Sequence, residues 1–429
     1  MITVLHITPH LGGGVGKALS SLIASVQEDS FPVWHRVICL EQPEKSQFLE
    51  QICCSGGEVI IAPDSLTIDE LVSTADIVQL EWWNHPATIQ CLCRMMPQPI
   101  RLLVWCHVSG LHNPIIPPKL MNIAHRFLFT SPCSFEAQQV SALAKVLSGR
   151  LAVVSSGGGF ADLPEPDGND RAPLAVGYFG SLNFAKLHPD YIDFLSAVNI
   201  PDFKVRLIGD LLNREVLERQ SAHAGRVEML DFRGYSAHVA SELSAINILA
   251  YLLNPYHYGT AENALLEAMA MGIVPVVLDN PCERHIVEHR RTGFIVRSPD
   301  EFAEAINWLD HNPRERSRIG AQAAATVRER FSPARMAASF RTHYAAVMNE
   351  QKQIASFRAV FGETPDEWFL SCQSEPEIFQ GDGAIHLSME RWSFFNLLEK
   401  TKGSVFHFLE YFPDAIRLQA WAMRLEALR

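Results

Sequence analysis

Short β-rich runs alternate with helical stretches along most of this chain, and this alternation limits the possible folds more than any other feature. In the first part of the chain, the runs expected to form strands are residues 2–8, 33–40, 58–62, 76–81, 100–106, 127–130 and 151–155. Helical segments lie between most of them. Strands that alternate with helices in this way predict an α/β fold with a mostly parallel, doubly wound sheet.

The alternation is interrupted once and then restarts. Residues 155–173 are rich in glycine and proline, which is typical of a linker. Further strands are expected at residues 174–180, 204–209, 227–233, 246–253, 273–278 and 293–296. With 429 residues the chain is also too long for one ordinary core. The sequence therefore predicts two Rossmann-like domains, 1–160 and 161–349, followed by a helical, aromatic-rich extension over 350–429.

Composition excludes several classes of protein. The net charge of −12, without a strongly basic run, argues against a nucleic-acid-binding surface. The nine cysteines form no paired Cys-x2-Cys sets, so a zinc ribbon is not expected. The N-terminus lacks the features of a signal peptide, and no uncharged apolar segment approaches the roughly 18 residues that would span a membrane. We therefore expect a cytoplasmic protein and leave peripheral membrane association open.

The stretch YGTAENALLEAMAMGIVPVVL, residues 258–278, carries the most information about function. It reads as a short loop, an apolar helix that ends at Gly272, and a β-branched strand. The N-terminus of such a helix offers free backbone N–H groups to an anion. Within the helix, Glu267 stands among Ala, Leu and Met, where a charge is costly without a partner. The hydroxyls of a ribose would be one such partner.

Two α/β domains with this motif in the second resemble the GT-B glycosyltransferases, specifically the retaining family 4 type. The resemblance covers residues 1–345 and rests mainly on the segment EAMAMGIVPVV. It implies a hexosyltransferase that moves a sugar from a nucleotide diphosphate sugar to an unidentified acceptor, which could be a saccharide, a lipid-linked group or a protein. It also implies retention of configuration and no required metal or cofactor. The active site would lie in the interdomain cleft, with the acceptor on the side of the first domain.

Several donor-binding residues follow from the same resemblance. Glu267 would hold the donor ribose. The loop before its helix would face the diphosphate and the sugar; its residues are Thr260, Ala261, Glu262, Asn263 and Ala264.

One departure from the family pattern concerns this loop. The family usually has a second Glu eight residues before Glu267, and Gly259 stands there. Glu262 is not a simple substitute, because five residues along a helix rotate a side chain by about 140° net. The helix macrodipole explains a carboxylate at this position without any ligand. We expect the Glu262 side chain to point away from the diphosphate or towards a sugar hydroxyl, and the departure leaves donor-sugar recognition open.

Two residues are candidates for catalysis. Residues 180–186 match the family segment Gly-Arg-Leu-x3-Lys, and Lys186 would neutralise the departing diphosphate. Ser181 replaces the usual Arg, which removes one of two cations. His107 ends an apolar strand at the sheet edge where ligands collect, and the family often has a His here near the donor sugar. A hydrogen-bonded core histidine is the alternative interpretation.

The glycines Gly12, Gly13 and Gly14 follow the first strand and would let the backbone approach a ligand closely. The resemblance places them across the cleft from the diphosphate, although a tight turn explains them equally well. A P-loop is excluded, because Leu11 and Ala18 stand where that pattern needs Gly and Ser or Thr.

Two further patterns are less specific. Residues 82–85, Trp-Trp-Asn-His, follow a predicted strand and could stack on an acceptor or pack in the core. Residues 285–289 spell the H-x-x-E-H pattern of one zinc peptidase class, but no third metal ligand is implied.

Two other functions fit parts of the sequence. Gly259 and Ser181 are compatible with a noncatalytic GT-B-like scaffold or interaction protein, and the same fold could also carry an epimerase or a phosphorylase. The presence of both Lys186 and Glu267 favours transfer. The extension could serve self-association into a homo-oligomer or docking of the acceptor.

Overall fold

The computed structural model describes residues 1–25, 32–43, 46–166, 168, 173–236, 238–260, 262–379 and 392–428. The strands of its first domain are β1 (Ile2–Thr8), β2 (Val33–Cys39), β3 (Glu58–Ile61), β4 (Ile77–Trp82), β5 (Pro99–Ile100), β6 (Leu102–Cys106), β7 (Arg126–Phe129) and β8 (Leu151–Val153). Seven of them form one sheet in the order β3-β2-β1-β4-β6-β7-β8, and all its neighbouring strands are parallel. Each predicted strand of this domain is confirmed to within two residues at either end.

The helices of the first domain connect these parallel strands. They are α1 (Gly13–Ala24), α2 (Gln47–Cys54), α3 (Ser65–Thr74), α4 (Pro86–Arg94), α5 (Pro118–Ile123) and α6 (Gln138–Ala144). Local signals explain where some of them begin. Asp64 caps α3 by accepting from the Thr67 N–H, and Pro86 occupies the first position of α4, where no backbone donor is needed.

The second domain repeats this architecture. Its strands are β9 (Val176–Phe179), β10 (Val205–Ile208), β11 (Leu230–Gly234), β12 (Ile248–Tyr251), β13 (Val274–Leu278) and β14 (Phe294–Val296), in the parallel order β11-β10-β9-β12-β13-β14. Its helices are α7 (Tyr191–Ser196), α8 (Arg214–His223), α9 (Val239–Leu243), α10 (Asn263–Ala270), α11 (Pro281–Arg284), α12 (Pro299–His311) and α13 (Pro313–Arg330). The predicted fold class, two Rossmann-like domains with a helical extension, is confirmed.

The chain returns to the first domain after α13. Helix α14 (Pro333–Met348) lies within the range predicted for the second domain, yet its apolar face packs on the first sheet. Phe340 and Tyr344 share a core with Val4 and Trp105. This helix therefore ties the end of the second domain to the first.

The extension is helical, as predicted, and completes the core of the first domain. It contains β15 (Gln353–Ile354), which pairs with β5, and the helices α15 (Phe357–Phe361), α16 (Pro365–Leu370), α17 (Phe395–Leu398), α18 (Val405–Tyr411) and α19 (Ile416–Glu426). Trp368, Phe408 and Trp421 are buried in the same cluster as the strands of the first sheet. Since these rings face the protein's own core, they do not offer a surface for self-association. Self-association through other parts of 350–429 stays a prediction.

The extension also reaches the second domain. The carboxylate of Glu399 accepts from the Phe184 N–H at 3.1 Å and from Nδ2 of Asn213 at 3.0 Å. Nδ2 of Asn396 donates to the Tyr256 carbonyl at 2.7 Å. The extension thus contacts both domains. In the part of the chain that is described, no helix has the length and apolar character needed to cross a membrane.

Candidate functional site

The carboxyl ends of the two sheets meet at the boundary between the domains. Thr130, directly after β7, donates to the hydroxyl of Thr260 at 2.6 Å. The thiols of Cys133 and Cys282 lie 3.0 Å apart across the same boundary. Loops that follow parallel strands carry ligand sites in open α/β sheets, so this boundary is where a site is expected.

The first charged feature of the boundary is an ion pair between the domains. Nζ of Lys17, in α1, lies 2.5 Å from Oε1 of Glu267, in α10. The side chains are 26% and 13% exposed, so both remain accessible to a ligand. A charged Glu267 was expected to need a partner, and Lys17 of the protein itself is one.

The glycines after the first strand lie at the start of α1, and Gly14 lies against the start of α10. A Cβ on Gly14 would come within 2.3 Å of Nδ2 of Asn263, so the close approach depends on glycine. Gly13 has a φ of +58°, which favours glycine as well, and the Gly12 N–H donates to Nδ1 of His10 at 3.0 Å. These glycines therefore lead into α1 and let its first turn touch the second domain.

The second charged feature is a buried cluster at the N-terminus of α10. Glu262 is the N-cap residue, with φ 40° and ψ 58°, and therefore stands outside the helix. Its Oε2 accepts from Tyr251 OH at 2.5 Å and lies 3.1 Å from Nζ of Lys186. The sequence argument that rotated Glu262 by about 140° along a helix was wrong, because the residue is not helical. The Lys186 ammonium, predicted to face a diphosphate, already has a carboxylate partner.

The electrostatics of the cluster follow from these contacts. Burial opposes the ionisation of Glu262, but Lys186 and His257 outweigh it and hold the pKa of the carboxyl below its usual value. Burial also opposes the charge on Lys186, yet Glu262 raises the pKa of its ammonium. Both groups are therefore charged near neutral pH.

His257 links this cluster to a second carboxylate. Its Nε2 lies 3.2 Å from Oε1 of Glu283, and its Nδ1 accepts from the Gly259 N–H at 3.1 Å. Among the residues that the structure describes, one ligand atom each from His257, Glu262 and Glu283 lies within 4.8 Å of the others, a spacing that could hold a metal ion. The Lys186 ammonium beside Glu262 already supplies positive charge there, which opposes a second cation.

His107 lies at the carboxyl edge of the first sheet, as predicted, but its ring has an internal partner. Nε2 of His107 is 3.0 Å from Oε2 of Glu81, and Nδ1 of His6 is 3.0 Å from the other oxygen of the same carboxylate. The His107 carbonyl accepts from Thr260 at 3.4 Å. The ring is 8% exposed, so its hydrogen bond to Glu81 fits a structural role as well as a catalytic one.

The remaining predicted positions divide between the site and the core. Ala264 lies in the first turn of α10, where backbone N–H groups lack intrahelical acceptors. Ala261 lies outside the described residues. Trp82 is buried and stacks on Phe361 at 5.3 Å, so it cannot stack on an acceptor, whereas Trp83 is half-buried beneath the Lys402 ammonium.

Sequence reasoning missed Lys17, Tyr251, His257 and Glu283. Lys17 directly precedes Ala18, and the exclusion of a P-loop left it without a role. Tyr251 and Glu283 reach the α10 N-terminus only through the fold, whereas His257 lies in the loop that leads into this helix. For Glu283 the available signal was a carboxylate in the first turn of α11, just after the carboxyl end of β13.

The comparisons with known proteins agree with this geometry. Residues 162–326 match the family model described as Glycosyl transferases group 1. No curated protein sequence matches the chain. Among solved structures, Anabaena HepE in complex with UDP has a TM-score of 0.62 at 18% identity, covering 81% of this chain and 100% of its own.

Two other solved structures are similar to the same extent. Sucrose-phosphate synthase from Thermosynechococcus elongatus has a TM-score of 0.57 at 16% identity, with 81% of this chain and 99% of its own covered. The lipopolysaccharide outer core galactosyltransferase WaaB, in its apo form, has a TM-score of 0.58 at 16% identity over 80% of this chain and 99% of its own. At these identities the likeness establishes the fold. The fold is therefore that of the GT-B glycosyltransferases, and the match to the group 1 family covers most of the second domain.

Proposed function

We propose that this protein transfers a hexose from a nucleotide diphosphate sugar to an acceptor, with retention of anomeric configuration and without a metal ion, as in the family 4 type. The observation that carries the proposal is the placement of Glu267, Lys186 and the start of α10 at the interdomain boundary, within the part of the chain that matches the group 1 family. The group 1 match and the similar structures do not favour the scaffold alternative.

Each element would have a distinct task. The Glu267 carboxylate would accept hydrogen bonds from the ribose, in place of or beside Lys17. The N-terminus of α10 and the Lys186 ammonium would stabilise the negative charge that develops on the departing diphosphate. The acceptor would enter from the side of the first domain, near His107 and the glycine loop. Because the two domains already touch at this boundary, closure over the donor would exclude water.

UDP-sugars are the first donors to test, since the structure of HepE was solved with UDP and with UDP-glucose. UDP-, GDP- and ADP-sugars should be screened by thermal shift, and the released nucleotide should then be assayed with and without EDTA. A shift and a release that EDTA leaves unchanged support the proposal. The absence of a shift with every donor would contradict it. NMR of the product would test retention through the anomeric coupling constant.

A further inference from the structure

A side chain at position 259 would occupy the same space as the carboxylate of Glu262. A Cβ placed on Gly259 would lie 1.8 Å from Oε1 of Glu262 and 3.0 Å from the carboxyl carbon. The backbone of Gly259 is not left-handed, so its conformation does not itself require glycine. The carboxylate of Glu262 is therefore what excludes a side chain at position 259.

The position of that carboxylate is fixed from several sides. Glu262 adopts a left-handed backbone conformation, which is costly for a residue with a Cβ and persists only where the surroundings impose it. Tyr251 and Lys186 both hold its Oε2. Filling position 259 would therefore displace the carboxylate only by breaking these contacts.

The other carboxylate oxygen has no hydrogen-bond donor among the described residues. Oε1 of Glu262 is buried, and the nearest ring nitrogen, Nδ1 of His257, is 3.7 Å away and accepts from the Gly259 N–H. A buried carboxylate oxygen without a donor is uncommon in folded proteins. A ligand hydroxyl would supply the missing hydrogen bond.

We propose that Glu262 determines recognition of the donor sugar, by accepting a hydrogen bond from a sugar hydroxyl through Oε1, and that Gly259 is needed to leave room for it. This inference rests on the proposed function and deepens it. The resemblance places a carboxylate at position 259, and this chain delivers one to the adjacent space from position 262. Position 259 is then a glycine because the carboxylate comes from position 262 instead.

The test compares two kinds of ligand. Titration calorimetry would measure the affinity for UDP and UDP-glucose, and for GDP and GDP-mannose, and the ratio within each pair isolates the contribution of the sugar. Glu262→Gln should lower the ratio of nucleotide-sugar affinity to nucleoside diphosphate affinity by about tenfold or more, while the nucleoside diphosphate itself binds no more weakly, because Lys186 loses a competing carboxylate. Gly259→Ala, which displaces the carboxylate, should do the same. Glu304→Gln, on the exposed face of α12, is the matched control.

A swap of the two positions gives the sharpest result. The double variant Gly259→Glu/Glu262→Gly places the carboxylate at 259 and gives the left-handed position to glycine, which adopts it readily. It should bind nucleotide sugars to within a few fold of wild type, as expected if one carboxylate is restored. Gly259→Glu alone should not, because two carboxylates would then compete for one space.

The outcomes separate this inference from the proposed function. A wild-type protein that binds none of the four ligands overturns both. A wild-type protein that binds them, with a Glu262→Gln variant that loses affinity for both members of a pair equally, overturns the inference alone. A folded swap variant that binds no better than Glu262→Gln also overturns it. If Glu262→Gln does not fold by circular dichroism, Gly259→Ala decides.

Discussion

Lys17 of the first domain and Glu267 of the second form an ion pair across the interdomain boundary, with 2.5 Å between Nζ and Oε1. The two residues are 250 positions apart in the chain. The carboxylate assigned to the donor ribose therefore has a protein cation as its partner in this structure. Ligand binding at Glu267 must either replace this contact or share it.

Glu267→Gln should weaken binding of the nucleoside diphosphate, because the ribose loses a charge-assisted hydrogen bond worth about 1.5–3 kcal/mol. Titration calorimetry with UDP, or with the nucleotide found in the donor screen, measures this directly. Glu304→Gln, an exposed carboxylate on α12, should bind like wild type. Equal affinities for Glu267→Gln and its control would remove the ribose role.

Lys17→Met should change the same affinity in the opposite direction. It removes the cation that competes with the ribose for Glu267, so nucleotide affinity should rise a few fold. The same calorimetric titration measures this increase. A fall in affinity instead would assign the Lys17 ammonium to the diphosphate, and it would contradict the view that lysine and ribose compete.

Lys186→Met should lower both turnover and stability. Turnover falls because a cation that stabilises the leaving diphosphate is lost. Stability falls by about 3 kcal/mol, since the buried carboxylate of Glu262 is left without its charged partner. Urea unfolding measures the second effect. The double variant Lys186→Met/Glu262→Gln should regain much of the stability and none of the turnover; a double variant no more stable than the single one would contradict the pairing.

Acid should weaken the contact between the extension and the first domain. His10, His85 and His407 pack together there with Lys402 and Tyr411. Burial, together with Lys402, lowers the pKa of His10 to about 4 and of His407 to about 4. Burial, then His407, lowers the pKa of His85 to about 2. Glu41 faces the cluster as well, through Tyr411.

The sign follows from linkage. Above the unfolded pKa of 6.5 these rings are neutral in both states. Below it the unfolded chain takes up protons that the folded chain does not, so the free energy of unfolding should fall as pH drops from 6.5 towards 4. Each ring contributes at most about 1.4 kcal/mol per pH unit. Urea unfolding at several pH values should show a shallower slope for His407→Gln, whereas the exposed His311→Gln should keep the wild-type slope.

Trp421→Ala should destabilise the whole protein, although the residue lies near the end of the extension. The ring is 2% exposed and packs on Phe379 and Phe369 within the core shared with the first domain. Loss of a buried Trp of this kind costs about 3–5 kcal/mol. A single unfolding transition that shifts for the entire molecule would show that the extension is part of that core. The exposed Met423→Ala should shift it little, and independent melting of the extension would contradict the prediction.

The strands were predictable because they follow a local pattern. Runs of β-branched and apolar residues between helical segments indicated both sheets. The start of α12 has an equally local signal, the sequence Ser298-Pro299-Asp300-Glu301, in which the Glu301 N–H donates to the serine hydroxyl. The capping signal and the strand pattern each depend on neighbouring residues only. This is why the elements were found with small errors at their ends.

The site was predictable only in part. Glu267 and Lys186 could be found because a motif fixes their positions along the chain, and both lie at the interdomain boundary. Their partners could not be predicted from the sequence. Lys17 reaches Glu267 through tertiary packing, and Glu262 reaches Lys186 from a left-handed backbone conformation that no local pattern indicates. The rotation argument for Glu262 failed for this reason, since it assumed helical geometry one residue before the helix begins, whereas the expected role of its side chain stays a prediction.

The extension is bound differently to the two domains, and this difference indicates which of the two interfaces opens first. Most of its rings are buried in the core of the first domain, whereas its contact with the second domain consists of the hydrogen bonds of Glu399 and Asn396 and the packing of a few rings, such as Phe395 on Phe184. Any hinge motion that admits a donor should therefore separate the second domain from the extension. The extension should move together with the first domain. The moving body would then be the second domain alone, and the described residues of the extension would belong to the rigid first domain.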